Sequence, residues 1–347
     1  MDIINVKRKI TAIINKKFND TDLYTCYLSG SVIEGFATPK SDYDVYVILE
    51  GELEKEYEEI FIPSDIGMLE VTIISLKEIK EIMRIINNES SNSDWYKLHL
   101  SHRILTGESI IKSNNFNTLK GGINKTKLCE ILKTKAKNFG EKCFSDGIGN
   151  ILNNDLISAA FNFERTVNSA MDYILALSGN TSTLIKWRYQ NAMKVFGKDH
   201  PITSIYLMVC SKFNVTNDIS TIDYINSVAK MWQLTLDYCQ GKDIFSYNVS
   251  FTKKRIANTS DISLLDENNR PIIKNLWYRV LCKDGKLILF AKKSLCEISS
   301  DAYKVWLVID NEKTEFEVVS ELEKLGITNT NANFYISEFE RLGALTK

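Results

Sequence analysis

Hydrophobic spacing in the first third of the chain switches between helical and strand periods. Apolar residues three and four apart in residues 1–18 predict an amphipathic first helix. Apolar runs of strand character occupy residues 23–29, 42–49 and 68–74. Residues 76–112 return to helical spacing, with a break near Gly107. These elements predict an α/β unit over residues 1–120.

Residues from about 125 to 240 are helical in pattern. An apolar stripe from Leu152 to Leu175 keeps helical spacing, and Gly179 with Asn180 follows it as a stop signal. Three more helices are predicted, over residues 182–196, 201–213 and 221–240. A polar stretch from Gly241 predicts the start of a linker. A second domain is therefore expected over residues 121–245.

The last hundred residues change character again. Short alternating runs in residues 255–295 predict a small β region, with turns at 266–269 and at Asp284-Gly285. Residues 299–347 predict a helix, a turn and a further helix. The third domain is predicted over residues 250–347.

Composition narrows the class of protein. The chain has 347 residues, 44% of them hydrophobic and 25% charged, which is ordinary globular usage and suits two or three domains. A net charge of -1 does not favour nonspecific binding to nucleic acid or anionic membranes. The sequence has no uninterrupted apolar stretch of membrane-spanning length and no secretory signal pattern. Its seven scattered cysteines indicate free thiols, so a cytoplasmic location is expected.

Candidate chemistry is concentrated between Tyr27 and Leu49. The predicted first strand ends at Gly30-Ser31, a small turn that can offer backbone N–H groups to a phosphate. Asp42 and Asp44 follow in the second strand, where a period of two places both carboxylates on one face. Converging carboxylates repel unless a cation lies between them, and hard oxygen ligands near a phosphate indicate Mg²⁺.

A third carboxylate interrupts the next apolar strand. Glu70 would be costly to bury alone, so on a neighbouring strand it is predicted to join the two aspartates. There it could be a metal ligand or a general base. The ordinary interpretation, a solvated glutamate at a strand edge, stays open, as does a turn or strand-end role for either aspartate.

The segment 27–49 resembles the nucleotidyltransferase signature of the polymerase-β-like superfamily, most closely the aminoglycoside adenylyltransferase branch. The resemblance implies an α+β fold: a mixed sheet with helices, followed by an all-helical domain. It also implies that Asp42 and Asp44 bind Mg²⁺ and that Gly30 and Ser31 hold the triphosphate. Glu34 departs from the family, which usually carries an arginine before the glycine at this place.

Further site residues follow from the same resemblance. Glu70 matches the strand-borne glutamate that serves as catalytic base, and it is also a candidate third metal ligand. Ser41 falls where the branch uses a hydroxyl on the triphosphate. The helical region resembles the domain that closes over the nucleotide, and Lys186 is the candidate lysine for the triphosphate, with an ordinary surface lysine as the alternative.

Residues 302–345 resemble a PqqD-type domain, a small winged-helix-like α/β module that binds leader peptides by adding a β-strand. A winged-helix fold used only for packing or dimerisation is the alternative. The segment is not rich in Lys and Arg, so nucleic acid is not expected as its partner.

Together these features predict an Mg²⁺-dependent transfer of a nucleoside monophosphate. ATP is the favoured donor, and AMP is then the group transferred. The acceptor would be a hydroxyl of a small molecule, such as an antibiotic, or of a peptide natural product, and pyrophosphate would leave. A precursor peptide bound by the third domain is the expected partner in the second case. Two alternatives remain: a catalytically weak nucleotide- or peptide-binding module, and a toxin-like enzyme that modifies tRNA or protein.

Overall fold

The computed structural model describes residues 3–18, 22–88, 94–252, 255–256, 270–290 and 295–346. The chain divides into two compact units. Unit 1 comprises Met1–Lys135 and Leu175–Asn191, and unit 2 comprises Ala136–Ile174 and Ala192–Lys347. The three-domain division remains a prediction.

Unit 1 is built on a five-stranded mixed sheet with strand order β3-β4-β2-β1-β5. The strands are β1 (Leu23–Ser29), β2 (Tyr43–Leu49), β3 (Tyr57–Ser64), β4 (Gly67–Ser75) and β5 (Glu108–Ile111). Strands β2 and β4 are parallel, and the other neighbouring strands are antiparallel. The helices that begin in this part of the chain are α1 (Ile3–Lys17), α2 (Ser31–Glu34), α3 (Leu76–Asn87), α4 (Trp95–Thr106) and α5 (Ser113–Gly122).

Alternation along the strands produces one hydrophobic core on each face of the sheet. Val45 and Val71 belong to the core that contains the buried positions of α1. Ile48 and Ile74 belong to the opposite core, with buried residues of α3, α4 and α5. The sheet is therefore covered on both sides.

The predicted first helix and the three predicted strands are confirmed, as α1, β1, β2 and β4. Strands β3 and β5 were not predicted. The edge strand β3 is exposed along most of its length, so it lacks the apolar run that marks a buried strand. Strand β5 has four residues and lies within a stretch of helical spacing, too short to show a period of its own.

The part of the chain predicted to be helical, from about residue 125 to 240, is mainly helical. Its long elements are α6 (Lys125–Leu152), α7 (Leu156–Leu177), α8 (Arg188–Phe196), α9 (Pro201–Ser211) and α10 (Asp218–Phe245), and a 3₁₀ turn (Ile185–Trp187) precedes α8. The linker predicted from Gly241 is wrong in its start, because α10 continues to Phe245. Gly241 packs closely on Leu307, so its small size serves packing inside the helix rather than a break.

In the C-terminal part of unit 2, the described residues form two small sheets and three helices. Its elements are β6 (Ile273–Lys274), β7 (Arg279–Lys283), β8 (Lys286–Phe290), β9 (Leu295–Ile298), α11 (Ser300–Val308), α12 (Glu315–Lys324), α13 (Asn329–Arg341) and β10 (Leu345–Thr346). The turn predicted at Asp284-Gly285 joins β7 to β8, with both residues at positive φ as a two-residue hairpin requires. The turn predicted at 266–269 lies outside the described residues.

Among the residues that the structure describes, no helix has the length and apolar character needed to cross a membrane.

Candidate active site

The Gly-Ser turn at the end of β1 lies against the predicted metal ligands. Gly30 has a φ of 77°, a conformation that side chains disfavour. A Cβ atom on Gly30 would lie 2.5 Å from Cγ of Asp44 and 2.9 Å from Nη1 of Arg103. Glycine is therefore required here for two reasons, its backbone angle and the close approach of an acid and a base.

Two of the three predicted carboxylates are neighbours in the sheet. Asp44 on β2 pairs in parallel register with Glu70 on β4, so the two side chains lie on the same face. Asp42 is exposed and directly precedes the first residue of β2 rather than lying inside the strand. Its charge still contributes to raising the pKa of Asp44 and of Glu70. The structure thus brings Asp42, Asp44 and Glu70 into one electrostatic group.

Burial and repulsion between carboxylates both favour protonation of Asp44 and Glu70. Burial is the main cause of the raised pKa of Asp44, whereas the charges of Arg103 and Lys186 and a hydrogen bond from the Ser31 backbone N–H lower it. Burial also raises the pKa of Glu70, with repulsion from Asp44, Glu59 and Asp42 added to it. A carboxylate of raised pKa is better suited to accept a proton at neutral pH than an ordinary glutamate.

Arg103 of α4 is a central side chain that the sequence analysis did not identify. It is buried, and its Nη2 lies 3.6 Å from Oδ1 of Asp44. Its Nη1 lies 3.6 Å from Oε1 of Glu34 and has no hydrogen-bond partner. The Arg103 Nε donates to Nε2 of His99 at 3.1 Å, and the guanidinium lies 5.3 Å from the centre of the Trp187 ring.

A buried polar network holds Arg103 in place. His102 Nε2 lies 3.2 Å from Oε1 of Glu34, and His102 Nδ1 lies 2.9 Å from the hydroxyl of Thr181. Burial and the neighbouring Arg103 lower the pKa of His99 to about 3, so His99 is neutral and accepts from Arg103. Glu34, the departure from the family pattern, is thus a buried partner of Arg103 and His102.

Lys186 and Ser41 are the two other residues that were predicted to bind the triphosphate. Lys186, in the 3₁₀ turn, is exposed and close enough to lower the pKa of Asp44. Its Nζ lies 5.4 Å from the centre of the Trp187 ring. Ser41 lies in the loop before β2, where its hydroxyl accepts from the Thr38 N–H at 2.8 Å. The phosphate-binding roles of both residues remain predictions.

The aspartates suit an Mg²⁺ site of the kind that a nucleotide completes. Within the described parts of the chain, no group of three or more His, Cys, Asp or Glu side chains is arranged to hold a metal ion. Mg²⁺ usually takes only one or two carboxylates and fills its other positions with substrate phosphates and water. Asp42 and Asp44 supply that number of carboxylates, and a cation would relieve the repulsion that Asp42 exerts on Asp44. Glu70 as a third ligand stays a prediction.

The sequence around His99 and Arg103 gives little indication that they belong to the site. His99 and Arg103 are four residues apart, so they share one face of α4, and that spacing is the only hint in the sequence. Glu34, which contacts Arg103, is more than sixty positions away, and a single sequence does not show that contact.

One comparison with known proteins gives a family match in the first part of the chain. Residues 7–96 match the family model described as a nucleotidyltransferase domain. No curated protein matched the chain. A solved structure of a nucleotidyltransferase-like protein from Exiguobacterium sibiricum 255-15 is similar at 10% identity and a TM-score of 0.38, covering 67% of this chain and 78% of that one. Residues 7–96 span the Gly-Ser turn and all three carboxylates. The chain therefore carries a nucleotidyltransferase domain in this region, and the protein is a nucleotidyltransferase.

Proposed function

We propose that the enzyme transfers a nucleoside monophosphate, with AMP from ATP as the first candidate, to a hydroxyl of a small molecule or peptide. The observation that carries this proposal is the parallel pairing of Asp44 with Glu70 beside the Gly30-Ser31 turn. This arrangement places a candidate metal ligand and a candidate base on one face of the sheet, next to a turn that can hold phosphate.

Each side chain then has a distinct role. Asp42 and Asp44 would hold Mg²⁺, which when bound neutralises triphosphate charge and acts as a Lewis acid. Glu70 accepts the proton of the acceptor hydroxyl as its oxygen attacks the α-phosphorus, and pyrophosphate leaves on the opposite side. Gly30, Ser31, Ser41 and Lys186 bind the triphosphate. Positioning and charge stabilisation supply most of the rate, as in phosphoryl transfer generally.

The sheet offers a place for the acceptor next to the base. Phe61 on β3 pairs with Glu70 and is 61% exposed, on the same face as the carboxylates. An exposed aromatic ring beside a catalytic base is suited to stack on a sugar or a planar group. We propose that the acceptor binds across Phe61 with its reactive hydroxyl at Glu70.

We propose further that residues 250–347 recognise the acceptor or a partner peptide. In the described part of this region, β9 lies at the edge of the three-stranded sheet and its Leu295 is 67% exposed. An open strand edge can accept a peptide strand through main-chain hydrogen bonds. The PqqD-like character of the region is part of this proposal.

Pyrophosphate release from ATP and Mg²⁺ in the presence of candidate acceptors tests the transfer. Antibiotics with free hydroxyls, peptides and tRNA would be compared, with mass spectrometry of each acceptor for an added nucleoside monophosphate. A mass shift on tRNA or on a protein would favour the toxin-like alternative. Tight nucleotide binding with no turnover on any acceptor class would favour the binding-module alternative and refute the transfer.

A further inference from the structure

Two donors at the Gly-Ser turn already bind an anion, and that anion is the enzyme's own aspartate. The backbone N–H of Ser31 donates a hydrogen bond to the Asp44 carboxylate, and Nη2 of Arg103 lies 3.6 Å from its Oδ1. Gly30 leaves room for the carboxylate, because any side chain at that position would overlap it. The carboxylate therefore sits in a cradle formed by a backbone donor and a buried cation.

The guanidinium of Arg103 in this cradle makes fewer hydrogen bonds than it can donate. Arg103 is 5% exposed, yet its Nη1 has no hydrogen-bond partner and both of its carboxylate neighbours lie at 3.6 Å. A buried guanidinium normally makes short, paired contacts with its acid. Leaving donors unmatched is costly, so the arrangement favours a ligand with more acceptor oxygens than one carboxylate offers.

A phosphate group is such a ligand. Its oxygens accept hydrogen bonds in the geometry that the guanidinium fork and a backbone N–H present. We propose that Arg103 and the Ser31 N–H form a triphosphate-binding site, and that the Asp44 carboxylate occupies this site until nucleotide enters. This inference rests on the proposed function, since it assigns the part of the nucleotide that these donors contact.

Glu34 and His99 act as positioning residues for the guanidinium. Glu34 is buried and lies 3.6 Å from Nη1, while neutral His99 accepts from Nε. With the Nε side fixed by His99, the two terminal nitrogens face the turn and Asp44. Helix α4 thus supplies to the Gly-Ser turn an arginine that the turn's own sequence lacks.

The test is a double-mutant cycle on binding of inorganic tripolyphosphate without divalent metal, measured by calorimetry. Asp44→Ala should tighten binding about tenfold, because it frees both donors, whereas Arg103→Gln should weaken binding about tenfold. In the Arg103→Gln background, Asp44→Ala should tighten binding by no more than about threefold. Equal tightening in both backgrounds would show plain charge repulsion and overturn the proposal, as would unchanged affinity in Arg103→Gln.

Asp42→Ala is the matched control, because it removes the same charge two residues away without freeing the Ser31 N–H. It should tighten binding less than Asp44→Ala, and by the same factor in both Arg103 backgrounds. If Arg103→Gln does not fold, Arg103→Lys keeps the charge and loses the fork, and it should weaken tripolyphosphate binding about fivefold. Arg84→Gln, which removes an exposed arginine of α3, should leave the affinity unchanged.

The outcome is separable from that of the proposed function. An enzyme that binds tripolyphosphate as expected but releases no pyrophosphate from ATP would contradict the transfer and leave the binding site standing. An active enzyme whose tripolyphosphate affinity is unchanged in Arg103→Gln would contradict the binding site and leave the transfer standing.

Discussion

Each unit of this enzyme contains an acid paired with a buried base, and the two pairs differ in how well their hydrogen-bonding groups are satisfied. In unit 2, Asp237 accepts from Nζ of Lys274 at 2.6 Å and from Nε1 of Trp306 at 3.0 Å. Lys274 also lies 4.7 Å from the centre of the Trp306 ring. In unit 1, Asp44 and Arg103 are 3.6 Å apart, and Arg103 keeps an unpartnered nitrogen.

The contrast fits a structural role for the pair in unit 2 and the functional role that we propose for the pair in unit 1. Both oxygens of Asp237 have short contacts, and both side chains of its ion pair are 3% exposed, so a ligand would gain nothing by replacing them. Asp44 is partly exposed, and its pKa is raised by burial that its neighbours only partly offset. Incomplete satisfaction combined with partial access is typical of a binding site.

The largest expected effect is on catalysis. Asp44→Ala should lower the rate of pyrophosphate release by at least about 10⁴-fold, because a metal ligand and the carboxylate at the turn are lost together. The thermal midpoint should stay close to that of the unmodified enzyme. Turnover near the normal rate at saturating Mg²⁺ would contradict the metal assignment.

Glu70→Gln should lower transfer by about 10²–10³-fold while nucleotide affinity changes little. The amide keeps the shape of the side chain but accepts no proton. Calorimetry with a non-hydrolysable nucleotide, alongside the turnover assay, checks both parts. A large loss of nucleotide affinity would make Glu70 chiefly a metal ligand.

Asp237→Ala should act on stability instead. Removing one partner leaves Lys274 buried without its acid, at a cost of about 3–5 kcal/mol in the free energy of unfolding. Urea denaturation followed by circular dichroism gives this value. The rate per folded molecule should match the unmodified enzyme, and a selective loss of rate in fully folded protein would remove the distinction between the two pairs.

The smallest effect is a stability gain in Asp44→Asn that depends on pH. The folded-state pKa of Asp44 lies above its ordinary value of 3.8, so its contribution to stability is fully present below that value. It is lost as pH rises through the raised pKa. The variant has no such loss and should be more stable than the original by about 0.5–2 kcal/mol at pH 7, with no advantage at pH 3. Melting curves of both proteins at pH 7 and pH 3 would show whether the variant is the more stable one at pH 7 only.

The sequence predicted the carboxylates better than their surroundings, for a physical reason. Asp42, Asp44 and the Gly-Ser turn lie within fifteen residues, and the period of a strand fixes which face Asp44 takes. Glu70 is predicted to join them from a neighbouring strand, and only the structure shows that this strand runs parallel to β2. Arg103 was not predicted, because its place depends on packing of α4 against a turn more than seventy residues earlier.

The same limit applies to the fold. Apolar runs in the sequence predict the buried strands β1, β2 and β4. Edge strand β3 has no such run, and only its hydrogen bonds to β4 define it. Helix α10 was predicted too short, since a glycine usually ends a helix and here it accommodates Leu307.

The distance along the chain between Gly30 and Arg103 has a consequence for folding. The hairpin of β3 and β4 closes over a two-residue turn and needs no distant segment. The proposed triphosphate cradle needs α4 docked on β1, a contact that closes a far longer loop. We therefore expect nucleotide to bind only after this docking, and bound nucleotide should slow unfolding of unit 1 at the α4 contact.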